Sequence, residues 1–240
     1  MFYLIGLGLN EKGYSREAYE IISKVDKIYV DSYTVDFPYD IKQLEARFRR
    51  KKFSQANREF VESLRILEEA RKQDVVLLVY GSPLTATTHI TLIEEARKLR
   101  IKSEVVQNAS VLDAIAETGL QIYKFGKTTS MPNFKADSYL DIVKQNLSID
   151  AHTLILIDIG MDFKSSLERL IKDTNNKKIK LHKIIVCSQL GTDNKKIYYD
   201  SVDKLKKLNL KRPFCVVIPG KLHFVEKEIL ESFKNIDKKL

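Results

Sequence analysis

The stretch Val75-Val76-Leu77-Leu78-Val79-Tyr80-Gly81-Ser82-Pro83-Leu84-Thr85-Ala86-Thr87-Thr88-His89 decides the fold. Five consecutive apolar residues predict a strand, and the turn chemistry that follows predicts where it stops. Gly81 permits backbone conformations closed to other residues, and Pro83 fixes its own φ while restricting Ser82. The Thr-Ala-Thr-Thr run supplies hydroxyls and helix caps for an amphipathic pattern carrying Leu92, Ala96 and Leu99. A strand, a tight loop and a helix start in that order make the place where open α/β sheets bind ligands.

Working outward, Phe2–Gly6 and Ile28–Asp31 are short apolar runs with a helical pattern between them at Ser15–Lys24, which is βαβ grammar. In residues 41–72, Phe60, Leu64 and Leu67 recur at i, i+4 and i+7, predicting a helix with one buried stripe. Ser103–Gln107 reads as a further strand. Ser110 then caps a helix running through Ala114 and Ala116 toward Gly119, so a boundary falls near 108–120. The expectation is two α/β domains, 1–108 and 109–240. In the second, Gln121–Phe125, Thr153–Asp158, Lys183–Ser188 and Phe214–Ile218 are predicted strands, with helices near 137–147, 163–172, 201–208 and 221–233. Lys172–Lys183 reads as a surface connection, and strands alternating with helices imply α/β again.

At 240 residues the chain exceeds one ordinary domain, and 44% hydrophobic with 30% charged residues reads as soluble and globular. No apolar run approaches the roughly 20 residues that cross a bilayer. Met1–Ile5 is interrupted at once by Gly6 and reads as a first strand rather than a signal peptide. Cys187 and Cys215, each beside a β-branched run, suit buried thiols in a reducing cytoplasm. The net charge of +9 is uneven: residues 1–120 hold 18 basic and 18 acidic side chains, leaving 23 and 14 for 121–240. That excess is compatible with steering an acidic partner and with plain solvated surface; without aromatic interleaving it does not read as a nucleic-acid site.

Gly6-Leu7-Gly8-Leu9 follows the first strand, but the third glycine of a dinucleotide fingerprint falls on Glu11 and no clear strand-end acid takes the ribose role. The two glycines fit both a close approach to ligand and a turn. His89 fits a capping or core-bonded role and a catalytic one. His152, His182 and His223 lack metal-ligand spacing, and no Walker A sequence is present, so neither a metal nor phosphoryl transfer is indicated.

Three further segments are distinctive: Gly119-Leu120-Gln121-Ile122-Tyr123-Lys124-Phe125-Gly126-Lys127, His152-Thr153-Leu154-Ile155-Leu156-Ile157-Asp158-Ile159 and Ile218-Pro219-Gly220-Lys221-Leu222-His223. With GLGL and GSPLTATTH, in this order over roughly residues 2–230, they make the chain resemble the diphthine synthases of the tetrapyrrole methylase (class III methyltransferase) superfamily. The resemblance implies two α/β domains, S-adenosylmethionine in the cleft between them where the tips of strands read as parallel converge, and a homodimer. It implies repeated N-methylation of a modified histidine in translation elongation factor 2, releasing S-adenosylhomocysteine in the cytoplasm. Carried over by motif, the cofactor-contacting residues are Leu9, Ser82, Thr85, Ser110, Val111, Ile157, Leu190 and Phe214, mostly through backbone and shape. Glu117, Asp158 and His89 stand open as general bases, with no spacing that selects one. The chain departs from the family pattern at Ser82, where Asp is usual, and at Gln189, Gly160 and Phe214, where Arg, Lys and His are usual. Alternative readings are a tetrapyrrole-precursor methyltransferase, a non-catalytic or altered-substrate S-adenosylmethionine-binding homologue, and a basic RNA-binding module.

Overall fold

The computed structural model describes residues 1–49 and 51–233; Arg50 and the stretch 234–240 of the expected second domain lie outside the described residues. The chain divides into two units, Met1–Asp113 and Ala114–Leu240. The division falls a few residues beyond the expected 108/109 because the Asn108 amide nitrogen donates to the carbonyls of Gly6 and Gly13, and Ser110 bonds to Asp113. Those bonds hold the junction to the first unit.

In the first unit, β1 (Phe2–Gly6), β2 (Lys27–Asp31), β3 (Ser54–Ala56), β4 (Val75–Val79) and β5 (Ser103–Val106) form one parallel sheet in the order β3-β2-β4-β1-β5. The apolar run of β4 lies at its centre with every residue buried. Alternation then divides its side chains between two cores. Val76 and Leu78 join Ile5, Ile28 and Val30 beneath α1 (Arg16–Lys24) and α2 (Ile41–Arg47). Val75, Leu77 and Val79 join Leu4 and Tyr29 beneath α3 (Arg58–Glu62), α4 (Arg65–Ala70) and α5 (Ile90–Lys98). The single helix expected across Phe60, Leu64 and Leu67 is broken: Leu64 takes φ 62, and the two short helices α3 and α4 flank it. The stripe nonetheless packs on one core, which is why its periodicity reads as continuous.

The second unit opens with α6 (Val111–Ala114), which straddles the division, and a 3-10 turn, Ile115–Thr118, ended by Gly119 in the left-handed region. Its sheet is β6 (Thr129–Met131), β7 (Thr153–Ile157), β8 (Lys183–Ser188), β9 (Lys196–Ser201) and β10 (Phe214–Ile218), ordered β6-β7-β10-β8-β9. Only β6 and β7 run parallel; the other three pairings are antiparallel, so the expectation of parallel strand tips fails for this unit. Strands β6 and β9 were not expected. Gln121–Phe125 is not a strand: Ile122–Lys124 is a 3-10 turn whose Gln121 N–H and Lys124 ammonium go to Glu226, leaving only a bridge from Phe125 to His152. Helices α7 (Tyr139–Ser148), α8 (Phe163–Asn176) and α9 (Val202–Leu205) cover one face, with Leu140, Val143, Leu167, Leu170 and Leu205 meeting Ile155, Ile184, Val186 and Val216. The start of the expected surface connection, to Asn176, belongs to α8, since Asp162 caps a helix whose buried stripe runs through to Thr174. Among the described residues the last helix is α10 (Phe224–Glu231). Cys187 and Cys215 are free, buried and directly opposed across β8 and β10.

Among the described residues, no helix is long and apolar enough to cross a membrane, and no group of His, Cys, Asp or Glu side chains is arranged to hold a metal ion.

Candidate functional site

In the first unit β1 and β4 are neighbours, yet α1, which follows β1, packs on one face and α5, which follows β4, on the other. Two adjacent parallel strands whose connections leave in opposite directions open a crevice at their carboxyl ends, and ligands of open α/β sheets bind there. The loops at this switch point are Gly6-Leu7-Gly8-Leu9 and Gly81-Ser82-Pro83-Leu84-Thr85.

The loops are tied to each other. Gly8 N–H donates to Gly81 O at 3.2 Å and Gly81 N–H to Gly8 O at 2.9 Å. Both glycines hold positive φ, 69° and 72°, which other residues adopt at a cost. A Cβ on Gly6 stands 2.6 Å from Gly81 O, so that position carries backbone packing rather than ligand. Asn108 closes the junction with its bonds to Gly6 O, at 3.1 Å, and Gly13 O, at 3.0 Å. Tyr80 donates its hydroxyl to Leu9 O at 3.0 Å, and its ring meets Phe37 and Tyr39 in an aromatic group behind the GLGL loop. Burial, with Tyr80 and Glu11 adding, pushes the Tyr39 phenol up, and its hydroxyl has no hydrogen-bond partner.

Of the residues carried over by motif, Leu9, Ser82 and Ser110 gather round Gly81: its added Cβ is 3.7 Å from Ser110 Cα and 3.9 Å from Leu9 Cδ2. Ser82 Oγ donates to Gln107 Oε1 at 3.2 Å, and Thr85 N–H donates to Ser82 O. Ser110 Oγ accepts from Leu112 N–H, so its hydroxyl caps the turn that carries Val111. In the second unit, β10 begins at Phe214 opposite Ser188, and Cys215 faces Leu156, so Ile157, Phe214 and the segment leading to Leu190 share one end of the sheet. The Phe214 ring itself is in the core, edge-on to Phe163 with centroids 5.5 Å apart, leaving its backbone as the part that faces the sheet end. Gln189 Nε2 donates to Arg212 O at 2.9 Å, and Gly160 sits at φ 81 with open space where a Cβ would stand.

Of the residues left open as general bases, two are already engaged and the third is fully buried. Glu117 pairs with Lys195. Asp158 accepts from Ile159 N–H at 2.9 Å and Asn133 N–H at 3.0 Å. His89 is buried and is not a side-chain cap: its Nε2 lies 2.9 Å from Asp31 Oδ2, without hydrogen-bond geometry, and both side chains are fully buried. Asp31 is the residue that sequence reasoning passed over. It ends β2 as a strand-end acid in Tyr29-Val30-Asp31, and it turns inward to Tyr33 N–H, Thr34 N–H, the Thr34 hydroxyl and His89.

A second buried cluster lies in the second unit. Glu226 Oε2 accepts from Lys124 Nζ at 2.6 Å and His223 N–H at 2.7 Å; Oε1 accepts from Gln121 N–H at 2.9 Å and lies 3.1 Å from His152 Nε2. Burial alone raises a carboxyl, but Lys124, these N–H groups and His152 outweigh it and hold Glu226 down at about 2. Burial lowers His152, whose Nδ1 accepts from Gly220 N–H at 3.0 Å. The three distinctive segments of the second half thus meet at one carboxylate. A cleft of about 320 Å³ lies elsewhere: Tyr3, Val25, Asp26, Gln73 and Asp74 line it at the amino ends of the first sheet's strands.

Comparison with known proteins adds to this geometry. The model of the family described as Tetrapyrrole (Corrin/Porphyrin) Methylases matches residues 1–206. The diphthine synthase of Methanococcus maripaludis strain C6 is 36% identical over 255 residues, covering 98% of this chain and 100% of the relative. The diphthine methyl ester synthase of Dictyostelium discoideum is 35% identical over 269 residues, covering 98% of each. A crystal structure of diphthine synthase superposes with a TM-score of 0.87 at 30% identity, covering 98% of this chain and 96% of that one. Full-length likeness of this kind makes the chain a methyltransferase of the diphthine synthase family within the tetrapyrrole methylases.

Proposed function

We propose that this chain methylates the amino group of 2-(3-amino-3-carboxypropyl)histidine in translation elongation factor 2, with S-adenosylmethionine as donor, giving diphthine. The observation that carries the reading is the pairing of the GLGL and GSPLT loops at the β1/β4 switch point, in a chain alike over its whole length to diphthine synthases. The donor set there suits such a cofactor. Ser82 and Thr85 offer neutral hydroxyls, the loops offer main-chain groups, and Leu9 offers an apolar face, so polar and apolar parts of a nucleotide each find a match.

The cofactor supplies a methyl group already activated on a sulfonium. The residues of the chain therefore have to bind, orient and exclude water, because alignment of a lone pair about 3–3.5 Å from the carbon is the main catalytic requirement. Leu9, Ser82, Thr85, Ser110 and Val111 of the first unit and Ile157, Leu190 and Phe214 of the second are the proposed contacts. With Glu117 and Asp158 engaged and His89 fully buried against Asp31, no general base is assigned; desolvation lowers the pKa of the amine and favours its neutral, nucleophilic form. The basic surplus in residues 121–240 steers the protein substrate, and the working form is a cytoplasmic homodimer.

Labelled S-adenosylmethionine, incubated with the protein and elongation factor 2 carrying the aminocarboxypropyl-histidine, tests the reading. Label on the factor, absent when the histidine is unmodified, is the expected result; no transfer under conditions where S-adenosylhomocysteine binds overturns it.

A further inference from the structure

Tyr29 and Asp31 share one side of β2 by alternation, and Tyr29 belongs to the core beneath α5, so Asp31 points toward the helix that begins at Ile90. His89 stands immediately before that helix, at the far end of the loop that starts with Gly81-Ser82, and it meets Asp31 there. The bridge spans two elements that the sheet places side by side, since β2 pairs with β4. Between Gly81 and His89 the loop holds a second anchor, Thr87 Oγ1 to Pro83 O at 2.8 Å, and one residue in the left-handed region, Ala86 at φ 57. A non-glycine residue held there needs surroundings that fix it.

The histidine is unusual in its bonding. Its ring is fully buried, yet Nδ1 has no hydrogen-bond partner and Nε2 approaches Asp31 without a well-directed N–H···O bond. Buried ring nitrogens are normally satisfied, and leaving one unpaired costs about 1–3 kcal/mol. The groups facing the ring are Asp31, which also holds the Tyr33 and Thr34 N–H groups, and Tyr33, stacked at 6.0 Å and itself covered by the Arg58 guanidinium. Spare bonding capacity sits where the loop meets the sheet.

We propose that Asp31 and His89 form a positioning latch for the cofactor loop: the pair fixes the distal end of residues 82–88 to β2 and thereby sets where Ser82 and Thr85 stand, and the ring realigns onto Asp31 when the loop engages its ligand. The inference rests on the assignment of that loop to cofactor binding.

Calorimetry with S-adenosylhomocysteine, thermal unfolding and methyl-transfer kinetics on His89→Phe, His89→Gln and Asp31→Asn test it. The latch predicts that folded His89→Phe and Asp31→Asn bind S-adenosylhomocysteine about tenfold more weakly, with the loss in KM for cofactor rather than in kcat, and that His89→Gln recovers part of it. Unchanged affinity in either folded variant, or a fall confined to kcat, overturns the latch. Should the variants fail to fold, the imidazole nitrogen chemical shifts of His89 in the wild-type protein decide: they move on addition of S-adenosylhomocysteine if the latch exists and stay fixed if it does not. Wild-type protein that binds S-adenosylhomocysteine but methylates no factor contradicts the proposed function and leaves these binding readouts intact.

Discussion

The two units each bury an acid beside a histidine, and the pairs differ in completeness. In the second unit both ring nitrogens of His152 are engaged and Glu226 has four partners from three segments, whereas in the first unit His89 has one nitrogen without a partner and the other poorly directed. A fully satisfied buried network rigidifies what it joins; a half-satisfied one costs stability and persists where something else requires it. On this contrast the Glu226 cluster is a strut, while the Asp31–His89 pair, between the end of β2 and the distal end of the switch-point loop, lies at the end of the sheet where the proposed site is.

The largest effect that breaks this comparison is expected at the strut. Glu226→Leu leaves the N–H groups of Gln121 and His223 without an acceptor and the Lys124 ammonium with Lys221 O alone, and urea denaturation should show a loss of about 3–5 kcal/mol. His89→Phe should cost only about 1 kcal/mol or less by the same measurement, because the ring nitrogens make no well-directed bond to lose. Equal losses at the two sites erase the distinction.

How far the sequence reaches follows the same line. The βαβ half of the fold is legible because β4 is a continuous apolar run bounded by Gly81 and Pro83, and the parallel sheet needs such a strand at its centre. The second sheet is less legible: its antiparallel edge strand β9 is Lys-Ile-Tyr-Tyr-Asp-Ser, polar at both ends, and Gln121–Phe125 looks like a strand although Ile122 and Tyr123 face solvent. Apolar letters do not say whether they face in or out. At the site, GLGL and GSPLT carry visible turn chemistry, whereas Asp31 shows only as an acid ending a strand, and its partner lies 58 residues away. Long-range pairing of that kind has no local signature.

Next in size is Gly6→Ala. The added methyl meets Gly81 O, a backbone atom that cannot rotate away, so the loops must part; about 1–3 kcal/mol of stability and most of the affinity for S-adenosylhomocysteine should go together. A loss of stability with affinity intact contradicts the placement of the site.

Acid sharpens the comparison from the strut's side. Glu226 is held at about 2 against 4.5 when unperturbed, so its contribution is complete above 4.5 and is lost as pH falls toward 2. His152 is lowered from 6.5, so the unfolded chain takes up that proton first and stability also falls as pH drops below 6.5. Denaturation midpoints measured from pH 7 to pH 3 should decline throughout, and Glu226→Gln should flatten the lower part of the curve.

The smallest change tests the departure from the family pattern. Ser82→Asp restores a carboxylate at the half-buried start of the switch-point loop, and calorimetry should show tighter S-adenosylmethionine binding, by a few-fold at most for one charge partly in contact with water.

The central claim is that the switch-point loops serve methyl transfer to a modified histidine. An intact mass spectrum of elongation factor 2 bearing the aminocarboxypropyl-histidine, taken after incubation with this protein and S-adenosylmethionine, tests it most directly. The account predicts a rise in whole methyl units confined to that residue; an unchanged mass, with cofactor binding verified in the same sample, contradicts it.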